Sequence, residues 1–200
     1  MGRLFSFVFA LSMLLGGSAM AQTARSVLDK TAAVLGNKGG VSARFTISGG
    51  QGGTTSGSIY VKGRKFHATV PVATVWFDGR TQWTYMKRNN EVNVNNPSES
   101  ELQAINPYNF INIYKSGYTY SMATSGGNYT VHLKASASRS IKEMYVVVDK
   151  KSYVPSQIRM LRSGKWTTIN VTNFKKATLN DSMFRFNSRD YPSAEVIDLR

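Results

Sequence analysis

The sequence predicts a mainly β protein built on one long antiparallel sheet, with helix only near the start and in the middle of the chain. Three observations lead to that class. Segments with apolar residues at every second position recur along most of the chain, the period of a strand with one buried face. Turn-forming runs separate them: Gly63-Arg64, Asp78-Gly79, Ser125-Gly126-Gly127-Asn128 and Ser163-Gly164. Helical spacing occurs only near residues 24–35 and 98–114. Together they give about eleven strands, and a sheet of that many strands curls or closes, so its inner face must be filled by side chains, a helix or a ligand.

The chain opens with Arg3, an apolar run from Leu4 to Leu15, and Ser18-Ala19-Met20-Ala21, the three parts of an export signal. The expected division is a signal peptide over 1–21 and a single domain over 22–200. Thr23 can cap a helix from about Ala24 to Leu35, with Val27, Leu28, Thr31, Ala32, Val34 and Leu35 on one side and Gly36 or Asn37 at its end. Val41, Ala43, Phe45 and Ile47 then alternate with polar residues, and the glycine-rich stretch 49–57 connects to the next strand. That stretch lacks the Lys-Ser/Thr ending and following helix of a phosphate-cradling loop.

Ser58 to Lys62 and Lys65 to Val70 form two strands around Gly63-Arg64. Next comes the element around which the rest is organised, Val75 to Tyr85, where aromatic and β-branched residues flank Asp78-Gly79 as a hairpin. Alternation puts Trp76 on one side of its strand and Val75 and Phe77 on the other, while Trp83 and Tyr85 share a face of the return strand. Glu91 to Asn95 completes the first meander. Ser98 with Glu101 reads as a capping box for a short helix, and Asn106-Pro107 starts a second, from Tyr108 to Tyr114, more apolar than one helical face can hide. Strands resume at Tyr118 to Thr124, Tyr129 to Ala135, Ile141 to Asp149, Pro155 to Leu161 and Trp166 to Lys175. Phe184 and Phe186 dock the tail, and Tyr191 to Arg200 is an extended closing segment.

Catalytic chemistry is scarce. There is no cysteine, which excludes disulfides, thiol nucleophiles and an N-terminal lipid anchor. The two histidines, His67 and His132, each fall in mid-strand beside no carboxylate pair, so neither a metal site nor a hydrolytic triad is expected, and the protein reads as a non-enzyme without cofactor. The formal charge of +14 favours anionic partners. For an exported chain these are lipid headgroups or acidic protein surfaces, not nucleic acid.

Two blocks carry a family resemblance: Gly57-Ser58-Ile59-Tyr60-Val61-Lys62 with Phe66 close behind, and Asp78-Gly79-Arg80-Thr81-Gln82-Trp83-Thr84-Tyr85. In order and spacing they resemble the LolA outer-membrane lipoprotein carrier family, with support from the leader, the following helix, the mid-chain helix and Phe184-Arg185-Phe186. The resemblance implies an incompletely closed antiparallel barrel with a helical lid over an apolar cavity for acyl chains. It implies a monomeric periplasmic carrier moving acylated lipoproteins from an inner-membrane lipoprotein-releasing transporter to an outer-membrane acceptor. A lipid or lipoprotein sensor, or a lipid-transport module, on the same fold is the alternative. Carried over by position, Phe66, Trp83 and Tyr85 are the aromatic candidates for the cavity or its entrance, and the mid-chain helix adds Tyr108, Phe110, Ile111 and Ile113. Where the family has Lys-Arg-Pro, this chain has Lys62-Gly63-Arg64-Lys65, which makes Arg64 the candidate lid latch; Ala68 stands where the family often has a second aromatic.

Overall fold

The structure, a computed structural model, describes residues 15–50, 53–98, 101–102, 113–136 and 138–200. It opens with one long helix, α1 (Leu15–Leu35), which starts earlier than the spacing of its apolar residues predicts and runs through Ala21. Gly36 ends it, its N–H donating to the Ala32 carbonyl at 2.8 Å. Ala24, Val27, Leu28, Thr31 and Leu35 form its buried side, which packs chiefly on β7 (Tyr118–Ser125) and then on β8 (Asn128–Ala135).

The strands before the mid-chain segment are β1 (Val41–Gly49), β2 (Thr55–Lys62), β3 (Lys65–Thr69), β4 (Ala73–Phe77), β5 (Gln82–Met86) and β6 (Glu91–Asn95). After it, β7 and β8 lead to β9 (Ile141–Asp149), β10 (Pro155–Arg162), β11 (Lys165–Lys176) and β12 (Glu195–Asp198). All twelve belong to one open sheet in the order β12-β6-β5-β4-β3-β2-β1-β11-β10-β9-β8-β7. The sequence-predicted hairpins all form, and two pairings join them. β1 pairs with β11 antiparallel at the centre, and β12 pairs with β6 in parallel at one end. The tail predicted as merely extended is therefore a twelfth strand, too short and polar to announce itself by periodicity.

The capping box forms as expected. Ser98 N–H donates to Glu101 Oε2 at 2.8 Å, and Glu101 N–H returns to Ser98 Oγ at 3.4 Å. These hydrogen bonds hold the Glu101 carboxyl below its ordinary value. Of the two short helices expected after it, residues 103–112 lie outside the described residues; on either side of them Leu102 and Tyr114 are buried in the core.

That core occupies one face of the sheet, the inner face. Leu133 on β8, Met144 and Val146 on β9, Ile158 on β10, Ile169 on β11, Phe45 on β1, Ile59 on β2, Phe66 on β3 and Phe77 on β4 belong to a single apolar cluster, together with the buried side of α1. In the register Phe66 lies opposite Phe77, and Phe45 opposite Gly57. Gly57 is required by close approach: a Cβ there would stand 2.2 Å from the Thr69 carbonyl oxygen and 2.7 Å from Phe45 Cζ. We therefore expect Gly57→Ala to destabilise the fold by roughly 1–3 kcal/mol through forced separation of β2 and β3. Urea unfolding checks this; an unchanged midpoint would show that the strands part without penalty.

Candidate functional site

The inner face extends well beyond the strands that α1 covers. Past β8 the apolar positions continue through Met160 on β10, Val171 on β11, Ile47 on β1, Ala68 on β3 and Val75 on β4. Val70, just after β3, continues the same line, and all six are only partly buried against the cluster. Strand alternation places these side chains on one surface, with Phe66 and Phe77 fully buried at its far side. These positions carry neither charge nor hydrogen-bonding side chain, and the face turns polar at β5, where Thr84 lies opposite Val75 and Gln82 opposite Phe77.

The other side of the core is pinned by tyrosines. Tyr114 Oη donates to Asp29 Oδ1 at 2.5 Å, tying the chain after the mid-chain segment to α1. Tyr120 Oη donates to the Tyr114 carbonyl, and Tyr118 Oη to the Ile141 carbonyl at 3.0 Å. Burial, then the hydrogen bond to the Asp29 carboxylate, pushes the Tyr114 hydroxyl far above its ordinary value, so it remains a donor at any physiological pH.

The predicted site residues separate. Phe66 is in the inner core, and Ile113 is half-buried against it. Trp83 and Tyr85 lie on the outer face, because Trp83 pairs with Trp76 and Tyr85 with Thr74, out of phase with Phe66 and Phe77. There Tyr85 meets Tyr191 of the tail at 4.6 Å between ring centroids and donates its hydroxyl to Asn90 Oδ1 at 3.0 Å. Tyr108, Phe110 and Ile111 lie outside the described residues. Arg64 is exposed at the tip of the β2–β3 turn. Its neighbours Lys62 and Lys65 both reach Asp181 in the tail, at 3.0 and 2.7 Å, and hold that carboxyl down at about 2.

The outer face thus has a second, smaller core: Phe184 and Phe186 dock the tail as the sequence predicts, but the meeting of Phe186 there with Trp76 is not foreseen by alternation. Trp76 is buried between Phe186 and Tyr191, both in edge contact at 5.6 Å, and its ring stacks on His67, which stacks in turn on Tyr60. Phe184 is wholly buried on the same side, and Arg185 reaches Asp78 at 3.3 Å. His67 Nδ1 is buried without a partner among the described residues, and burial lowers the imidazole pKa from 6.5. The unfolded chain therefore binds a proton on this residue more readily than the folded one. Stability from this group is complete above pH 6.5 and is lost as pH falls below that value through the folded pKa. We expect the urea midpoint to drop between pH 7.5 and pH 5 and His67→Phe to flatten that drop; an equally steep fall in the variant would assign the effect elsewhere.

His132 also departs from expectation. The sequence showed no carboxylate beside it, but the β8–β9 register brings Glu143 within 2.7 Å of Nε2, while Ser121 Oγ lies 3.4 Å from Nδ1. Tyr145 donates to the same Glu143 oxygen at 3.0 Å and stacks on the imidazole with centroids 4.3 Å apart. These hydrogen bonds, Tyr145 first, lower the Glu143 pKa. The order of Ser121, His132 and Glu143 resembles a hydrolytic relay on the outer face, with one face of the imidazole covered by Tyr145. Among the described residues no group of three or more His, Cys, Asp or Glu could hold a metal ion.

A family model described as outer membrane lipoprotein carrier protein LolA matches residues 15–165. The chain belongs to that family. Among solved structures, this LolA-family chain is similar to an uncharacterized conserved protein from Thermus thermophilus, at 14% identity and TM-score 0.59, with 88% of this chain and 99% of that one covered. It is also similar to MucB, at 12% identity and TM-score 0.52, over 84% of this chain and 64% of that one. At these identities the likeness is one of fold: an open, mostly antiparallel sheet with a helix on its inner face. No curated protein matches the sequence. Among the described residues of this LolA-family chain, no helix is long and apolar enough to cross a membrane.

Proposed function

We propose that the protein is an exported, non-enzymatic carrier that holds the acyl chains of lipoproteins against the inner face of its sheet and moves them through the periplasm. The observation that carries this reading is the line of half-buried apolar residues from Met160 through Val171, Ile47 and Val70 to Val75, which continues the core past the strands covered by α1. Burying a methylene is worth roughly 0.8 kcal/mol, so about ten methylenes of one acyl chain contribute about 8 kcal/mol, enough to hold a lipid that water would reject. Membership of the lipoprotein carrier family supports the same reading. An inner-membrane releasing transporter and an outer-membrane acceptor are the partners it requires.

In this reading Phe66 and Ile113 border the acyl site, the sequence adds Tyr108, Phe110 and Ile111 from the expected mid-chain helix, and Tyr85 serves the tail from the outer face that Trp83 shares. Arg64 holds the lid, so that cargo and lid compete for the same surface. Arg64→Leu is expected to change cargo capture or release severalfold, measured by transfer of a labelled lipoprotein; capture and release both at wild-type levels would remove Arg64 from the mechanism.

The deciding experiment is native mass spectrometry of protein purified gently from the periplasm, with identification of what is bound. A stoichiometric acylated lipoprotein is the expected result. Free phospholipid or fatty acid would move the function to lipid transport or sensing, and a consistently empty protein would assign the inner face to the fold alone.

A further inference from the structure

We propose that the groove on the outer face formed by β11, β1, β2 and β3 is a binding site for a phosphate-type anion, separate from the inner apolar face. The groove encloses about 680 Å³, room for a headgroup and not only a bare ion. Arg44, Lys87 and Lys175 line it with the hydroxyls of Ser58, Tyr60 and Thr69, and no carboxylate is among its lining residues.

The absence of a carboxylate from that lining is informative because the ion pairs lie elsewhere. Asp181 is taken by Lys62 and Lys65, Asp78 by Arg185, Asp198 by Arg200, and Glu143 by His132. Among the described residues none of these pairs includes a groove cation. Three positive charges sharing one recess repel one another, and an anion seated among them removes that repulsion while accepting hydrogen bonds from the hydroxyls.

The backbone is also arranged to supply one of the three. Thr172 of β11 pairs with Arg44, but Lys175 pairs with Ser42, so β11 has one residue more than β1 over this stretch, with Asn173 at φ 51°. Without that bulge the residue opposite Ser42 would be Phe174. The bulge instead turns Phe174 inward, where it packs against the core, and brings Lys175 out beside Arg44. A second groove of about 880 Å³, lined by Trp76, Phe186 and Tyr191 and also by Arg185 and Asp190, adjoins the first and shares Thr69 and Lys87 with it, so a planar extension of the anion has an aromatic surface to lie on, with Asp190 the one carboxylate among the residues lining that groove.

The test uses the full chain at about 0.1 M salt, where the Debye length of about 10 Å screens the attraction of the net charge as a whole. Vesicles of phosphatidylcholine with and without phosphatidylglycerol, and inorganic phosphate followed by thermal shift, are the probes. The variant Arg44→Gln/Lys87→Gln/Lys175→Gln is compared with Lys142→Gln/Lys151→Gln/Arg162→Gln, which removes the same charge from exposed positions outside both grooves. The groove variant is expected to lose about a hundredfold in affinity, near fivefold per cation, and the control to stay within about twofold. Loss of binding to phosphatidylglycerol vesicles identifies a lipid headgroup as the source of the anion, and loss of a phosphate response alone identifies a soluble phosphate compound. Equal losses in both variants, or no binding of either probe by the wild type, would overturn the site.

Discussion

Val75→Glu is expected to abolish capture of an acylated lipoprotein, with affinity reduced by at least about a hundredfold, while the protein remains folded. Val75 is only partly buried and points to the inner face beside Ala68, its partner in the β3–β4 ladder. The unliganded protein can therefore keep a carboxylate hydrated there. Bound hydrocarbon would strip that water away, and desolvating an unpaired charge costs several kcal/mol; each 1.4 kcal/mol is tenfold in affinity. The measurement is binding of a labelled lipoprotein, with circular dichroism and the unfolding midpoint as the check on folding. Undiminished capture by a folded variant would place the acyl chains away from β3 and β4. Phe66→Glu is the poorer test, because Phe66 is 1% exposed and a charge there would unfold the protein whatever its role.

Phe184→Ala carries the largest expected effect on stability, a loss of about 3–5 kcal/mol, the usual range for truncating a fully buried phenylalanine. Phe184 is 0% exposed and sits in a short helical turn, Asp181–Phe184, that packs on β3 and β4. The effect should be local in character. Amide exchange is expected to rise first in β12 and its partner β6, because the tail that delivers β12 is anchored through this ring, through Asp181 and through the Trp76 cluster. A small midpoint change with unaltered exchange would show that the Lys62 and Lys65 pairs to Asp181 hold the tail alone.

Most of the fold is legible in the sequence because alternation is a local signal. Glu91–Asn95 and Ile141–Asp149 have the ends that their residues predict, and Asp78 closes its hairpin as expected, accepting from the Arg80 and Thr81 N–H groups at 3.0 and 2.9 Å while Gly79 takes φ 102°. What the sequence withholds is pairing between distant segments. The β8–β9 register that gives His132 its carboxylate, the parallel pairing of β12, and the bulge at Asn173 all depend on which residue of another strand lies opposite. The facing of Trp83 and Tyr85 is a subtler case. Alternation relates them correctly to each other, but deciding whether that shared face is inner or outer requires the phase of β5 against β3, and a one-residue shift reverses the answer. The docking of Phe186 is foreseeable from its sequence, but its meeting with Trp76 and Tyr191 is not, because Trp76 comes from the opposite end of the domain.

The central β1–β11 ladder has a consequence for how the chain acquires this structure. The meanders β1–β6 and β7–β11 can each grow by closing short hairpins, but they become one sheet only when β1, made early, finds β11, made late. That late, long-range closure predicts slow folding with a large loop to order before its contacts form. Until it happens, β1 presents an unpaired edge containing Phe45 and Ile47 beside a glycine-rich connection, the kind of edge that recruits other chains. Truncation anywhere before Lys165 should therefore yield aggregates and not a smaller soluble domain, and a helper that masks that edge would raise the yield of the full-length protein more than any improvement to the hairpins themselves.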